Sequence, residues 1–238
     1  MTAKLISTTE SMFDRLRSLP LLKGLSINQI SGLVEKSHLE FKNYQPGEVI
    51  IRSGEKIDRL RFLLSGTCEL RRCIPEHDLE LREYIETPAV IGAVSLFGLE
   101  NRCPMECVAS TPAGVMELDK SQYISALSGN EIIMINYVNY LAMHAQKPWI
   151  ALSSYPTGSL YDVVARWLVL FTGRSARKVV ISYSLPELSR TTGIERKELY
   201  AQLLALARLE GVRIGEHEIE IGERAAFLDK RVPDAPTS

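Results

Sequence analysis

The chain has few of the residues that do chemistry, and those few are not grouped for it. Its four histidines (His38, His77, His144, His217) include no pair close enough to form a local ligand set. That argues against a metal-dependent barrel enzyme with an HxH strand. The four cysteines (Cys68, Cys73, Cys103, Cys107) are spaced C-x4-C and C-x3-C across a long gap, which matches neither a zinc knuckle nor a ferredoxin run. No paired-carboxylate or nucleophile motif is present, so neither catalytic nor metal-binding residues are expected. No apolar run approaches the roughly 20 residues that span a bilayer. The first residues lead into no apolar signal segment, so the expected setting is cytoplasmic, with reduced thiols and no membrane partner. An excess of charge is also missing: 28 Lys and Arg stand against 29 Asp and Glu, net -1. This excludes a strongly basic nucleic-acid coat and an acidic disordered chain. It leaves room for a small basic face.

What is there is ordinary globular sequence in three textures. At 45% apolar and 24% charged, 238 residues make one or two domains. Residues 10–37 read as helices, with Ser26 a candidate N-cap before the stripe Ile27, Ile30, Leu33, Val34. From about 40 to 118 come short apolar or alternating runs: 49–51, 60–64, 67–74, 79–85, 89–91, 105–109 and 115–118. Turn residues such as Gln45-Pro46-Gly47 and Ser65-Gly66 separate them, which predicts a β-sandwich or jelly roll. From 121 the chain is helical again. Asn130 is placed to cap a long helix that Pro148 should kink or interrupt. The helix is apolar on nearly every side, so one face needs a cover other than its own roll. A second copy across a two-fold axis is the simplest, through Ile135, Val138 and Ala142, with a helix sandwiched within its own subunit as the alternative. Tyr155-Pro156-Thr157-Gly158 marks the best break. The expected division is a roll with N-terminal helices over 1–120, a long helix and hinge over 121–158, and a third part over 159–238.

The third part carries the most specific local pattern. Ser184-Leu185-Pro186-Glu187 reads as a capping box opening a short helix that ends at Thr192-Gly193-Ile194. A second helix follows with Leu199, Leu203 and Leu206 on one face. Then Val212-Arg213-Ile214 and Glu218 to Ile221 flank Gly215 as a two-stranded wing. Helix, tight turn, helix and wing together suggest a winged helix-turn-helix, whose second helix lies in the major groove.

In this order the motifs resemble the family of the cAMP receptor protein and the fumarate-nitrate regulator (Crp/Fnr), over about residues 20–230. Tyr44-Gln45-Pro46-Gly47-Glu48-Val49-Ile50, Gly54 and Leu60 to Gly66 are similar to the opening strands of a cyclic-nucleotide-binding β-roll. Ile91 to Phe97 is similar to the start of its phosphate-binding segment. The resemblance implies an α+β protein with a cyclic-nucleotide-binding-like β-roll, a long dimerisation helix and a C-terminal winged helix-turn-helix. It implies a homodimeric transcription regulator that binds a pseudo-palindromic operator, with RNA polymerase as a further partner. An effector in the roll would bias the spacing of the reading heads.

The departures matter as much. Where cAMP-binding members carry a glutamate after the glycine, Gly92 is followed by Ala93, which accepts nothing. The nearest phosphate candidates are Arg102 and Cys103, and Pro104 has no N–H to give. The effector is therefore expected not to be cAMP, and its identity and any cofactor stay unknown. A cysteine cluster before Cys68 is absent, against an iron–sulfur sensor. A haem or nitric-oxide-sensing variant stays open, with His38, His144 or a cysteine as ligand, as does a sensor with weakened DNA binding. On the second helix, Arg196, Lys197 and Tyr200 would face DNA, with Arg190, Thr191 and Thr192 near the phosphates. A position expected to be apolar is Gln202, which leaves the register open by one residue. From residue 160 onward 12 Lys and Arg stand against 11 Asp and Glu, with Glu216, Glu218, Glu220 and Glu223 at the wing. Any DNA contact would rest on a few cations near 190–197, with modest affinity lost steeply in salt.

Overall fold

The computed structural model describes residues 13–74, 79–156 and 158–229. The start of the expected first helix, residues 10–12, and Thr157 of the break lie outside these. In chain order the elements are α1 (residues 13–18), α2 (Ile27–Lys36), β1 (Leu39–Tyr44), β2 (Val49–Ile51), β3 (Arg59–Ser65), β4 (Thr67–Ile74), β5 (Leu79–Glu86), β6 (Ala89–Ile91), β7 (Glu106–Ala109) and β8 (Ala113–Asp119). Then come α3 (Lys120–Gly129), α4 (Glu131–Ser154), α5 (Leu160–Phe171), β9 (Ala176–Ser182), α6 (Leu185–Thr192), α7 (Arg196–Ala207), β10 (Val212–Ile214), β11 (Glu218–Ile221) and α8 (Arg224–Asp229). The chain packs into two units. One holds the residues through Cys68 together with Glu86–Ala145, the other Glu69–Ile85 together with the chain from Gln146. Packing therefore divides the chain at other points than the break at 155–158.

In the first unit Ser26 caps α2 as expected, and Gln29 completes a capping box by bonding back to the Ser26 N–H. One antiparallel sheet runs β1-β8-β3-β6, with Met116 of β8 opposite both Phe41 and Phe62. Leu60, Phe62, Leu63, Val115 and Leu118 are fully buried and make the core of the roll. β2 pairs with β7. Between β3 and β4 the chain turns at Gly66 (φ +84°), where a Cβ would lie 2.3 Å from the Pro112 carbonyl oxygen, so only glycine fits. The unit buries an ionic network as well. The Glu117 side chain, 2% exposed, accepts from Arg61 Nε at 3.1 Å and from Lys42 Nζ at 2.7 Å. Burial pushes the Glu117 carboxyl up, but the bonds from Lys42 and Arg61 outweigh it and hold the group below its ordinary range.

In the second unit the strands run β10-β11-β9-β5-β4. The hairpin of β4 and β5 belongs to this sheet: Leu81 lies opposite Ile181 and Arg82 opposite Val180. Leu160, Val164, Leu168, Val179, Ile181, Leu188, Leu199, Leu203 and Phe227 share one core. Helix α5 is capped at its start by Ser159 and by Gln202, whose Oε1 accepts from the Leu160 N–H at 2.6 Å. At its end, Arg224 donates to the Leu168 carbonyl and Thr172 Oγ1, and Lys147 donates to the Thr172 carbonyl at 2.7 Å. Burial brings the Lys147 ammonium down to about 8.

Two local expectations change. Helix α4 runs without interruption from Glu131 to Ser154 through Pro148, with Asn130 Oδ1 accepting from the N–H groups of Ile132 and Ile133. A proline removes one hydrogen bond, and a helix this long has enough others to continue. The capping box at Ser184 does not form: no side-chain bond caps α6, because Glu187 is turned to Arg190 instead. A guanidinium one turn along the helix is the stronger partner for a carboxylate than a neutral N–H.

Candidate effector segment and nucleic-acid interface

The segment that resembles a phosphate-binding loop begins at Gly92, in the left-handed region (φ +73°), and continues as a short 3-10 turn at Ala93–Ser95. Ala93 is fully buried, and its carbonyl accepts from the Tyr137 hydroxyl of α4 at 2.9 Å. Tyr137 and Phe97 lie edge to face, and Tyr137 packs the same way on the fully buried Tyr123. The Tyr123 hydroxyl has no partner among the described residues. This aromatic group was not anticipated, although Tyr123 and Tyr137 are 14 residues apart in a stretch read as helical.

Arg102 is exposed, and its guanidinium donates to the Gly54 carbonyl at 2.8 Å, so it braces the chain at 54–56. Cys103 is buried, and its backbone N–H and C=O bond to Glu55 and Gly54. Ala93 has no side-chain acceptor, Pro104 has no N–H to donate, and Arg102 Nη1 faces a backbone carbonyl. The free, buried thiols of Cys68 and Cys107 share a hydrogen bond, which lowers the Cys68 thiol and, with burial, raises that of Cys107. Among the described residues no three His, Cys, Asp or Glu side chains are grouped to hold a metal. His144 lies on the Tyr140 ring with Nδ1 2.8 Å from the Tyr140 carbonyl.

In the second unit, α6 ends at Gly193 (φ +72°), and the chain re-enters helix at Arg196. Ser189 Oγ donates to the Ile194 carbonyl at 2.6 Å and Thr192 Oγ1 to the Leu188 carbonyl at 2.7 Å, so both hydroxyls close this turn. Leu199, Leu203 and Leu206 hold one side of α7 in the core. The other side presents Arg196, Lys197, Tyr200, Ala201 and Leu204. Among the described residues Arg196 and Lys197 have no hydrogen-bond or ion-pair partner, whereas Arg190 is bonded through Nε and Nη2 to Glu187. Thr191 is half-buried. Gln202, the polar residue at an expected apolar place, bonds to Glu198 as well as to Leu160 and thereby joins α7 to α5.

Along α4, Ile135, Val138 and Ala142 are exposed, as are Ala145, Trp149 and Leu152. These six positions step by three, four, three, four and three residues, the 3.5-residue period of a coiled-coil seam. Only the first three had been singled out from the pattern. The wider apolar composition of the helix masks the rest.

Residues 41–130 match the family model of the cyclic nucleotide-binding domain. The Thermus thermophilus catabolite activator protein is similar over 87% of this chain and 96% of its own, at 20% identity and TM-score 0.51. Residues 41–130 are thus similar to a cyclic nucleotide-binding domain, and the fold of the chain is similar to that of the catabolite activator protein. The sensor domain of the transcriptional regulator DNR from Pseudomonas aeruginosa is similar over 55% of this chain and 90% of its own (19% identity, TM-score 0.46). The N-terminal domain of a transcriptional regulator from Streptomyces coelicolor is similar over 58% and 94% (21%, 0.47). No curated protein sequence matches the chain. No described helix is long and apolar enough to cross a membrane.

Proposed function

We propose that the chain is a homodimeric, DNA-binding transcription regulator with no catalytic role, controlled by an effector other than cAMP. The observation that carries this reading is α7. One side is locked into the core by three leucines, and the other offers Arg196 and Lys197, which have no partner among the described residues. Cations positioned on a rigid helix and bonded to nothing suit guanine O6/N7 edges or phosphates. In this reading α6, Gly193, α7 and the β10–β11 hairpin are a winged helix-turn-helix. Arg190, tied to Glu187, contributes little, and the wing with Glu216 and Glu218 stands off the phosphates.

The six-residue seam on α4 supports the dimer, because a seam at heptad spacing is what a parallel two-stranded coiled coil buries. The two reading helices would then address half-sites about 34 Å apart. Tyr137 gives the effector segment a mechanical link to that seam. A ligand that moves the Ala93 carbonyl pulls on α4 at Tyr137, within two residues of Ile135 and Val138. A coupling of about 1–3 kcal/mol between such sites is typical. The three-part organisation (roll over 1–120, helix and hinge over 121–158, reading head over 159–238) belongs to this proposal, as do RNA polymerase as partner and a cytoplasmic setting.

One alternative has an observation behind it. The balanced charge of the reading head and the Arg190–Glu187 pair also suit a sensor whose DNA binding has weakened. Titration of the purified protein against its own promoter DNA at low salt, with and without cell extract as effector source, separates the two. A shift that R196A/K197A abolishes while the dimer persists supports the regulator, and no shift under either condition overturns it.

A further inference from the structure

Resting on the DNA-reading role of α7, a second feature of that helix names what it reads. Its outward side changes character along its length. The first turn carries Arg196 and Lys197. The next two turns carry Tyr200, Ala201 and Leu204, and Tyr200 and Leu204 are 55% and 67% exposed. Glu198 of the same helix accepts a hydrogen bond from Gln202. Leu204 can neither donate nor accept a hydrogen bond. The apolar group that a major groove offers such a side chain is the C5-methyl of thymine. Four residues of helix rise about 6 Å, close to two base steps of about 3.4 Å each. Tyr200 and Leu204 are therefore spaced to meet bases two steps apart.

We infer that Tyr200, Ala201 and Leu204 are specificity-determining residues that read thymine methyl groups, beside a guanine or phosphate contact from Arg196 and Lys197. The unpaired cations at the start of the stripe favour a polyanion over an apolar protein partner. The half-site is thus a T·A-containing sequence read by shape at the methyl group, beside the contacts of the cations.

The test begins with selection of binding duplexes from a random pool by the full-length protein at low salt. Thymines in the selected half-site are then replaced one at a time by deoxyuridine, which deletes only the methyl. Losing one methyl contact should weaken binding about fourfold per half-site, equivalent to ~0.8 kcal/mol. The L204A variant, changed at an exposed position, should bind the thymine site as weakly as wild type binds the uracil site, and should no longer distinguish the two. Cytosine carrying a C5-methyl at the same place should restore part of the discrimination for wild type only. Selected sites bound equally with thymine or uracil would overturn the inference and leave DNA reading intact. A pool from which no duplex is retained would overturn both.

Discussion

Arginine and lysine are put to opposite uses in the roll and on α7. In the roll Arg61 and Lys42 are spent on Glu117, Arg59 on Glu40 and Arg102 on the Gly54 carbonyl. On α7 Arg196 and Lys197 are spent on nothing within the described protein. A cation with a protein partner at hydrogen-bond distance has its desolvation already compensated, and a ligand must displace that partner to gain it. One without a partner is available at the cost of ordering a side chain. The difference sets Arg102, whose Nη1 is engaged by the Gly54 carbonyl, apart from Arg196 and Lys197, two exposed cations in a chain of net charge -1.

The comparison can be broken most sharply at Glu117. E117Q leaves Arg61 and Lys42 short of a carboxylate in a buried place and should destabilise the first unit by about 3 kcal/mol, measured by denaturant unfolding. The same network sets a pH dependence. The Glu117 carboxyl is held below its unfolded value of 4.5, so its contribution is complete above that pH and is lost as pH falls through the lower, folded value. Acid unfolding followed by circular dichroism should show this loss in wild type and not in E117Q. R196A/K197A should do the reverse, leaving unfolding unchanged while weakening operator binding about 100-fold, at roughly 1–3 kcal/mol per contact. A large stability loss in that variant would mean the cations are not free. V138D should raise the dimer dissociation constant at least tenfold in sedimentation experiments by placing a charge in an apolar seam. E187Q takes the carboxylate from Arg190 and should strengthen DNA binding two- to fivefold, about the effect of one extra phosphate contact. R102A should be the mildest: at most about 1 kcal/mol of stability for its one backbone bond, and no change in response to cAMP.

Much of the architecture could be read from residues in order. The runs at 67–74 and 89–91 coincide with β4 and β6, and Gly193 and the leucines at 199, 203 and 206 stand where the pattern put them. β1 and β9 escaped notice. Leu39–Tyr44 holds two consecutive polar residues, and Ala176–Ser182 opens with Arg177-Lys178, so neither shows a clean alternation. The site was legible as a list of residues but not as a set of contacts. Arg190 and Arg196 look equivalent in sequence, yet one is paired within its own helix and the other is not.

What the sequence determined by itself follows from residue identity. Ala93 has no carboxylate and Pro104 no N–H whatever surrounds them. A heptad step from Ile135 to Leu152 is periodic before it is folded. Gly66 and Gly193 mark turns because glycine enters the left-handed region without strain. What only the tertiary structure decided is engagement. Lys42 meets Glu117 across 75 residues and Arg82 meets Ser182 across 100. The hairpin at 69–85 packs with residues beyond 146. Such partnerships depend on which strands lie side by side, and a local pattern holds no record of that because its period encodes a face, not a neighbour.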